Sequence, residues 1–207
     1  MADKDILACR IASYGKFSLH SYEHLPEIGV KYIERPLPQG GEDVDMLKDI
    51  LEEFNLDVSS FQMNFTPLDQ KEFQAEIDSI IEMSVTFGTK IIFTSIKAPE
   101  LNLLFYKKKK TKRLFEQLRY LGDQVKSKGI HISLETHPNL VTNGKVGKES
   151  MEAINHDNIR INFDTANMYY YNKGIDVVEE LDYILPYVKS VHLKDSNKAY
   201  HGWDFPA

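Results

Sequence analysis

The chain has 207 residues, 42% of them hydrophobic, and a formal net charge of −6; that is enough apolar material for one sizeable core and predicts a single domain over 1–207. The acidic balance excludes a global attraction to nucleic acid or to an anionic membrane, and no apolar run reaches the length of a bilayer span. Cys9 is the only cysteine, so no intrachain disulfide forms, and a soluble protein of a reducing, cytoplasmic compartment is expected.

From the N-terminus, Ile6 to Ile11 reads as a strand and Val30 to Glu34, in VKYIERPLP, as the next. The amphipathic stretch VDMLKDILEEF follows, then a strand at Val58 to Met63. DQKEFQAEIDSIIEMSVTFG opens on Asp69 as an N-cap, repeats Phe73, Ile77, Ile80 and Ile81 on one face, and ends at Gly88, a suitable C′ residue. A strand at Ile91 to Ser95 precedes the basic run YKKKKTKR. Such charges attract phosphate or nucleic acid, but at the start of an amphipathic helix they read as a solvated, mobile loop. LFEQLRYLGDQVKSKG carries Leu114, Leu118, Leu121 and Val125 before Gly129. Strands follow at Ile130 to Glu135 and Arg160 to Asp164. IDVVEELDYIL is a helix stopped by Pro186, ahead of a strand at Ser190 to Lys194.

Alternating strands and helices at about thirty residues per unit predict an α/β protein with a parallel sheet, either a barrel or a doubly wound sheet. A complete eight-unit barrel takes about 250 residues. Seven units use nearly all of this chain, and SNKAYHGWDFPA has no β pattern for an eighth. The expected fold is therefore a TIM (β/α) barrel, incomplete with about seven βα units.

Strand residues two apart share a face. His131, Ser133 and Glu135 thus oppose Ile130, Ile132 and Leu134. Asn162 and Asp164 oppose Ile161 and Phe163, and Ser190, His192 and Lys194 oppose Val191 and Leu193. In a barrel the apolar sets lie under the helices and the polar sets line the interior, where unpaired polar groups are costly. A metal ion and a hydroxylated substrate supply partners for them. Glu135, Asp164 and His192 stand at or near the C-terminal ends of their strands, where barrel active sites form. Two carboxylates and an imidazole suit Mn, Mg, Co or Zn as the divalent metal ion.

The segments ISLETHP, INFDTANMYYY and SVHLKDSN resemble the metal-binding segments of the xylose-isomerase-like TIM barrels, a superfamily of sugar phosphate isomerases and epimerases. HGWDFPA resembles the stretch before their last strand. The resemblance runs over almost the whole chain. It implies a divalent metal on Glu135, Asp164 and His192, and a catalytic role for Glu135. In the epimerases of that family the metal chelates neighbouring carbonyl and hydroxyl oxygens of a ketose and stabilises a cis-enediolate. Two glutamates there exchange the proton on the carbon between them. The second glutamate stands on strand eight, so the resemblance also implies a chain shortened at its C-terminus relative to the family.

Further residues are candidates for substrate binding. Glu34 is placed to hold a substrate hydroxyl, with a salt bridge to Arg35 or a neighbouring strand as the alternative. His137 shares the parity of Glu135, but Pro138 makes it equally a turn residue. Asn167 stands where some relatives carry a His. Lys194 is placed to neutralise Glu135 or Asp164, and His201 to line the barrel mouth. The cluster Tyr169, Tyr170 and Tyr171 is expected to pack against a loop or a subunit more than against a sugar.

The expected function is that of a divalent-metal-dependent isomerase or epimerase, with a sugar, sugar phosphate or hydroxy-ketone as its small-molecule partner. No nucleic-acid or membrane partner is expected, and exposed sheet edges predict either a homo-oligomer or a barrel that closes imperfectly and is only marginally stable. Two alternatives are an inactive, shortened remnant of the family and an endonuclease IV-like DNA-repair nuclease. The nuclease needs more His ligands, including one at the position of Asn167.

Overall fold

The computed structural model describes residues 6–38, 44–63, 65, 70–96 and 104–202. Strand and helix alternate as the two periodicities require. β1 (Ala8–Arg10) leads through a 3-10 segment, Ile11–His20, to α1 (Ser21–Glu27) and β2 (Tyr32–Pro36). Then come α2 (Val44–Glu53), β3 (Asp57–Gln62), α3 (Gln70–Thr86), β4 (Ile91–Thr94), α4 (Leu104–Lys126) and β5 (His131–Glu135). The chain continues with α5 (Gly144–Ile154), β6 (Ile159–Asp164), α6 (Thr165–Tyr171), α7 (Val177–Ile184) and β7 (Val188–His192).

The seven strands form one parallel sheet in the order β1-β2-β3-β4-β5-β6-β7. Its curl follows from side chains that meet across it. Glu34 on β2 lies 3.0 Å from His192 on β7, although five inter-strand steps of about 4.8 Å would separate those strands by about 24 Å in a flat sheet. The architecture is an incomplete TIM barrel, and among the described residues β1 and β7 pair on one side only.

Strand parity sorts the core. Ile132, Leu134, Ile161 and Phe163 pack outward in one buried cluster with Leu114, Leu118, Leu121, Val125, Met151 and Ile154. Each such side chain contributes about 1.5–3 kcal/mol through burial. The inward set of β5 and β6, Ser133, Asn162 and Asp164, is equally buried but polar. At β7 the outward set is uncovered: Val191 is 52% and Leu193 85% exposed.

Several elements depart from the sequence expectation. The basic run lies within the helix α4 and not in a loop. α5 adds a helix between β5 and β6 that is not among the elements expected from the sequence, and Asn143 caps it by accepting from the Val146 amide at 3.0 Å. Its Gly144 and Gly147 sit against α7, where a Cβ on Gly144 would collide with the backbone carbonyl of Glu180. The last strand begins at Val188 and ends at His192, two residues before Lys194. The Thr165 hydroxyl donates to the Lys194 carbonyl (2.7 Å) and accepts from its amide (3.0 Å), which draws the chain off the sheet onto α6. Gly88 and Gly129 end α3 and α4 with φ of +67° and +66°, values that favour glycine. Asp69 and HGWDFPA beyond Gly202 lie outside the described residues. No helix among the described residues is long and apolar enough to cross a membrane.

Candidate metal centre

Register brings the three candidate ligands together. A shift between Ile161 and Asn162 sets Asp164 directly beside His192 on β7, while Glu135 pairs with Asn162. One ligand atom each from Glu135, Asp164 and His192 lies within 4.8 Å of the other two. The imidazole Nδ1 faces Glu135 Oε1 at 3.2 Å and Asp164 Oδ2 at 3.5 Å. Its Nε2 faces Glu34 Oε2 at 3.0 Å.

Asp164 divides its two oxygens. Oδ1 accepts from the amides of Ala166 (3.1 Å) and Asn167 (2.9 Å), which makes Asp164 the N-cap of α6. Oδ2 is left for the site, where Lys194 Nζ donates to it at 2.5 Å. The carboxylate is fully buried. Burial alone would raise its pKa, but the hydrogen bonds and charge of His192 and Lys194 and the Asn167 amide hold it below the usual carboxylate range. Burial likewise disfavours a charged His192, yet hydrogen bonds to Asp164, Glu135 and Glu34 outweigh it and raise the imidazole from 6.5 to about 11.

Glu34, Glu135 and Asp164 therefore surround a ring that is an imidazolium in the metal-free protein. The donor set fits a hard or borderline divalent cation: two carboxylate oxygens and one nitrogen converge, and no thiolate is near. Asn162 Oδ1, Ser133 Oγ and Ser190 Oγ, on the same inward faces, are buried without a hydrogen-bond partner among the described residues. These polar atoms line an interior suited to water or to a hydroxylated ligand.

The candidate substrate residues fall at different distances from this centre. Glu34 accepts the Ser60 hydroxyl at 2.8 Å, faces His192 and pairs with Arg10 at 4.0 Å, so its described partners stand on β3, β7 and the neighbouring strand β1. Lys194 pairs with Asp164 and not with Glu135. His137 stands beside Tyr171, ring centroids 4.9 Å apart, with Nδ1 3.1 Å from the Pro138 carbonyl. Asn167 is buried and donates to the Thr136 carbonyl at 3.0 Å, which ties the start of α6 to the end of β5. His201 is exposed, stacks on Tyr200 at 3.9 Å, and is held by its amide to the Tyr170 carbonyl.

The tyrosines divide as their packing predicts. Tyr169 lies under Lys198, Tyr170 against His201, and Tyr171 closest to the acidic groups. Burial, Tyr170, Glu135 and Asp164 push the Tyr171 phenol up to about 12, so it stays protonated.

Sequence reasoning missed Arg10, Asn162 and Phe93. Asn162 Nδ2 lies 3.2 and 3.0 Å from the two ring nitrogens of His192, and the Phe93 ring meets the imidazole edge-on at 4.7 Å. The parity of Asn162 with Asp164 was the available signal. Phe93 on β4 reaches His192 on β7 only because the sheet curls, whereas Arg10 lies beside Glu34 as its register partner on the neighbouring strand.

Known proteins place this geometry in a family. No curated protein matches the chain. Among solved structures, the family 2 AP endonuclease from Brucella melitensis is 15% identical with a TM-score of 0.76, covering 93% of this chain and 80% of that one. The IolI protein, determined with a bound zinc atom, is 20% identical at TM-score 0.69, covering 95% and 75%. D-Allulose 3-epimerase from Methylomonas sp., in complex with D-allulose, is 17% identical at TM-score 0.72, covering 92% and 72%. Identities this low show a shared fold. The family model described as a xylose isomerase-like TIM barrel matches residues 23–203, which include Glu34 and all three candidate ligands. The chain belongs to the xylose isomerase-like TIM barrel family.

Proposed function

We propose that the chain is a divalent-metal-dependent isomerase or epimerase acting on a sugar, sugar phosphate or related hydroxy-ketone through a cis-enediolate. The observation that carries this reading is the convergence of Glu135, Asp164 and His192 within 4.8 Å at the C-terminal ends of adjacent strands. The epimerase and the zinc-containing IolI protein among the structural relatives support it.

Glu135, Asp164 Oδ2 and His192 Nδ1 are the groups that hold Mn, Mg, Co or Zn. When bound, such a cation supplies Lewis acidity that makes a C–H bond beside a carbonyl easier to break. Glu135 serves as the base that takes this proton, because it is the carboxylate not committed to a helix cap or a lysine. Lys194 Nζ, beside Asp164 Oδ2 and partly exposed, would offer its charge to a substrate oxygen. His137 and the protonated Tyr171 stand as hydroxyl partners on the side of α6. Glu34 and His201 are further candidates for substrate contact, and Asn167, whose amide already serves Thr136, supports the site from behind.

The test is solvent exchange. The Mn²⁺-loaded protein is incubated with ketoses, ketose phosphates and hydroxypyruvate in D₂O, and deuterium incorporation beside the carbonyl is read by NMR. Metal-dependent incorporation is expected for at least one of these compounds. Incision of abasic DNA without exchange would favour the nuclease instead, and metal binding without either reaction would favour a non-catalytic remnant.

A further inference from the structure

An imidazole that binds a metal through one nitrogen must keep the other protonated and held, or its ring turns and its tautomers interchange. His192 stands on β7, which pairs with β6 among the described residues. We propose that Glu34 is a positioning residue that accepts the Nε2–H of His192 and so presents Nδ1 to the cation. The proposal rests on the metal-site reading above and deepens it.

Three observations carry it. First, the ring is already oriented: Nε2 meets Glu34 Oε2 at 3.0 Å while Nδ1 faces Glu135 and Asp164 at 3.2 and 3.5 Å. Second, Glu34 is fixed. It is 8% exposed, and a register shift between Ile33 and Glu34 sets it opposite Ser60, whose hydroxyl donates to the same Oε2 at 2.8 Å. Arg10 Nε lies 4.0 Å from Glu34 Oε1, and Arg10 is itself anchored on Gln62 at 2.5 Å. Third, no other neighbour described at the ring does the same task. Phe93 packs on the imidazole edge-on without accepting a proton. The Asn162 amide nitrogen stands nearly equidistant from both ring nitrogens, at 3.2 and 3.0 Å, accepts no proton, and so does not select between them.

Glu34 therefore links β2 to the metal ligand on β7, as a carboxylate–histidine pair of the kind that fixes metal-binding imidazoles elsewhere. This assigns it a task distinct from contact with substrate. Among the described residues, its place on the curled sheet is what joins the first strands to the site built by the last three.

The test combines titration calorimetry with Zn²⁺ and two-bond ¹H–¹⁵N NMR of the Zn²⁺-loaded protein. In the wild type, His192 is expected as the Nε2–H tautomer with Nδ1 coordinated. Glu34→Ala is expected to weaken Zn²⁺ binding by about 10–100-fold and to lose the single tautomer. Glu34→Gln keeps an oxygen acceptor, and should recover most of the affinity and the Nε2–H signal. A Glu34→Ala protein that binds Zn²⁺ within about twofold of wild type would overturn the role of Glu34, well below the loss expected for such a partner. Coordination through Nε2 in the wild type would overturn it as well. So would a Glu34→Gln protein as weak as Glu34→Ala, since the charge rather than the hydrogen bond would then account for the loss. If wild type itself binds no Zn²⁺, the metal-site reading falls and this inference with it.

Discussion

Asp164→Ala removes a carboxylate that caps a helix through one oxygen and meets the charges of Lys194 and His192 through the other, and the cost divides into a cap part and an ionic part. Loss of the Oδ1 cap on the Ala166 and Asn167 amides costs about 1 kcal/mol. Breaking a fully buried ion pair costs about 3–5 kcal/mol and an exposed one about 0–1 kcal/mol. Asp164 is fully buried, but the Lys194 side chain is 34% exposed and swings to solvent once released. The ionic part is then about 2 kcal/mol, between those limits. Asp164→Ala should destabilise the metal-free protein by about 3 kcal/mol in total. Asn caps helices as well as Asp does, so Asp164→Asn should lose only the ionic part and remain about 1 kcal/mol more stable than the alanine variant. Urea unfolding in EDTA at neutral pH measures both. An alanine variant as stable as wild type, or two variants of equal stability, would refute the division of labour between Oδ1 and Oδ2.

Further expectations concern charge, catalysis and packing. The raised pKa of His192 means that the native metal-free protein holds one proton more than the unfolded chain between 6.5 and about 11. Its contribution is full below pH 6.5 and is lost as pH rises toward 11, at no more than about 1.4 kcal/mol per pH unit; a His192→Gln curve parallel to wild type over that range would contradict it. The same Nδ1 proton must leave for a metal to bind, so Zn²⁺ affinity should rise with pH, with proton release detectable in buffers of different ionisation enthalpy. Glu135→Gln should abolish ketose exchange and leave the circular dichroism close to wild type, while lowering the melting temperature of the metal-free protein because one of three carboxylates facing His192 loses its charge; retained turnover would place the base elsewhere. Gly144→Ala forces a Cβ against the Glu180 carbonyl between α5 and α7 and should cost about 1–3 kcal/mol, whereas unchanged thermal melting would show that the two helices separate freely.

The triad was legible because period-2 alternation marks the inward face of each strand and the C-terminal end of a strand marks the barrel mouth. Those are local signals, and Glu135, Asp164 and His192 carry both. The partner of His192 was not legible, because Glu34 lies 158 residues away in sequence and meets it only through the curl of the sheet. Two elements hid for the opposite reason. In α5, Gly144 and Gly147 are poor helix formers by propensity, while in the fold they let α5 approach Glu180 and Ile184 on the side of α7. In the segment Ile11–Glu27, Gly15 and Pro26 mask helical turns that the packing of Leu25 and Tyr22 sustains. The end of β7 was misplaced because the alternation of Ser190, His192 and Lys194 continues past the point where Thr165 captures the backbone. A side chain keeps its parity there although the strand has ended.

The central claim is that one divalent cation binds among Glu135, Asp164 and His192. Anomalous diffraction at the zinc edge from Zn²⁺-soaked crystals tests it most directly. The account predicts a single strong peak about 2.0–2.2 Å from a carboxylate oxygen of Glu135, Asp164 Oδ2 and His192 Nδ1. A soaked crystal with no peak among these three side chains, or with the metal held elsewhere in the chain, would contradict it.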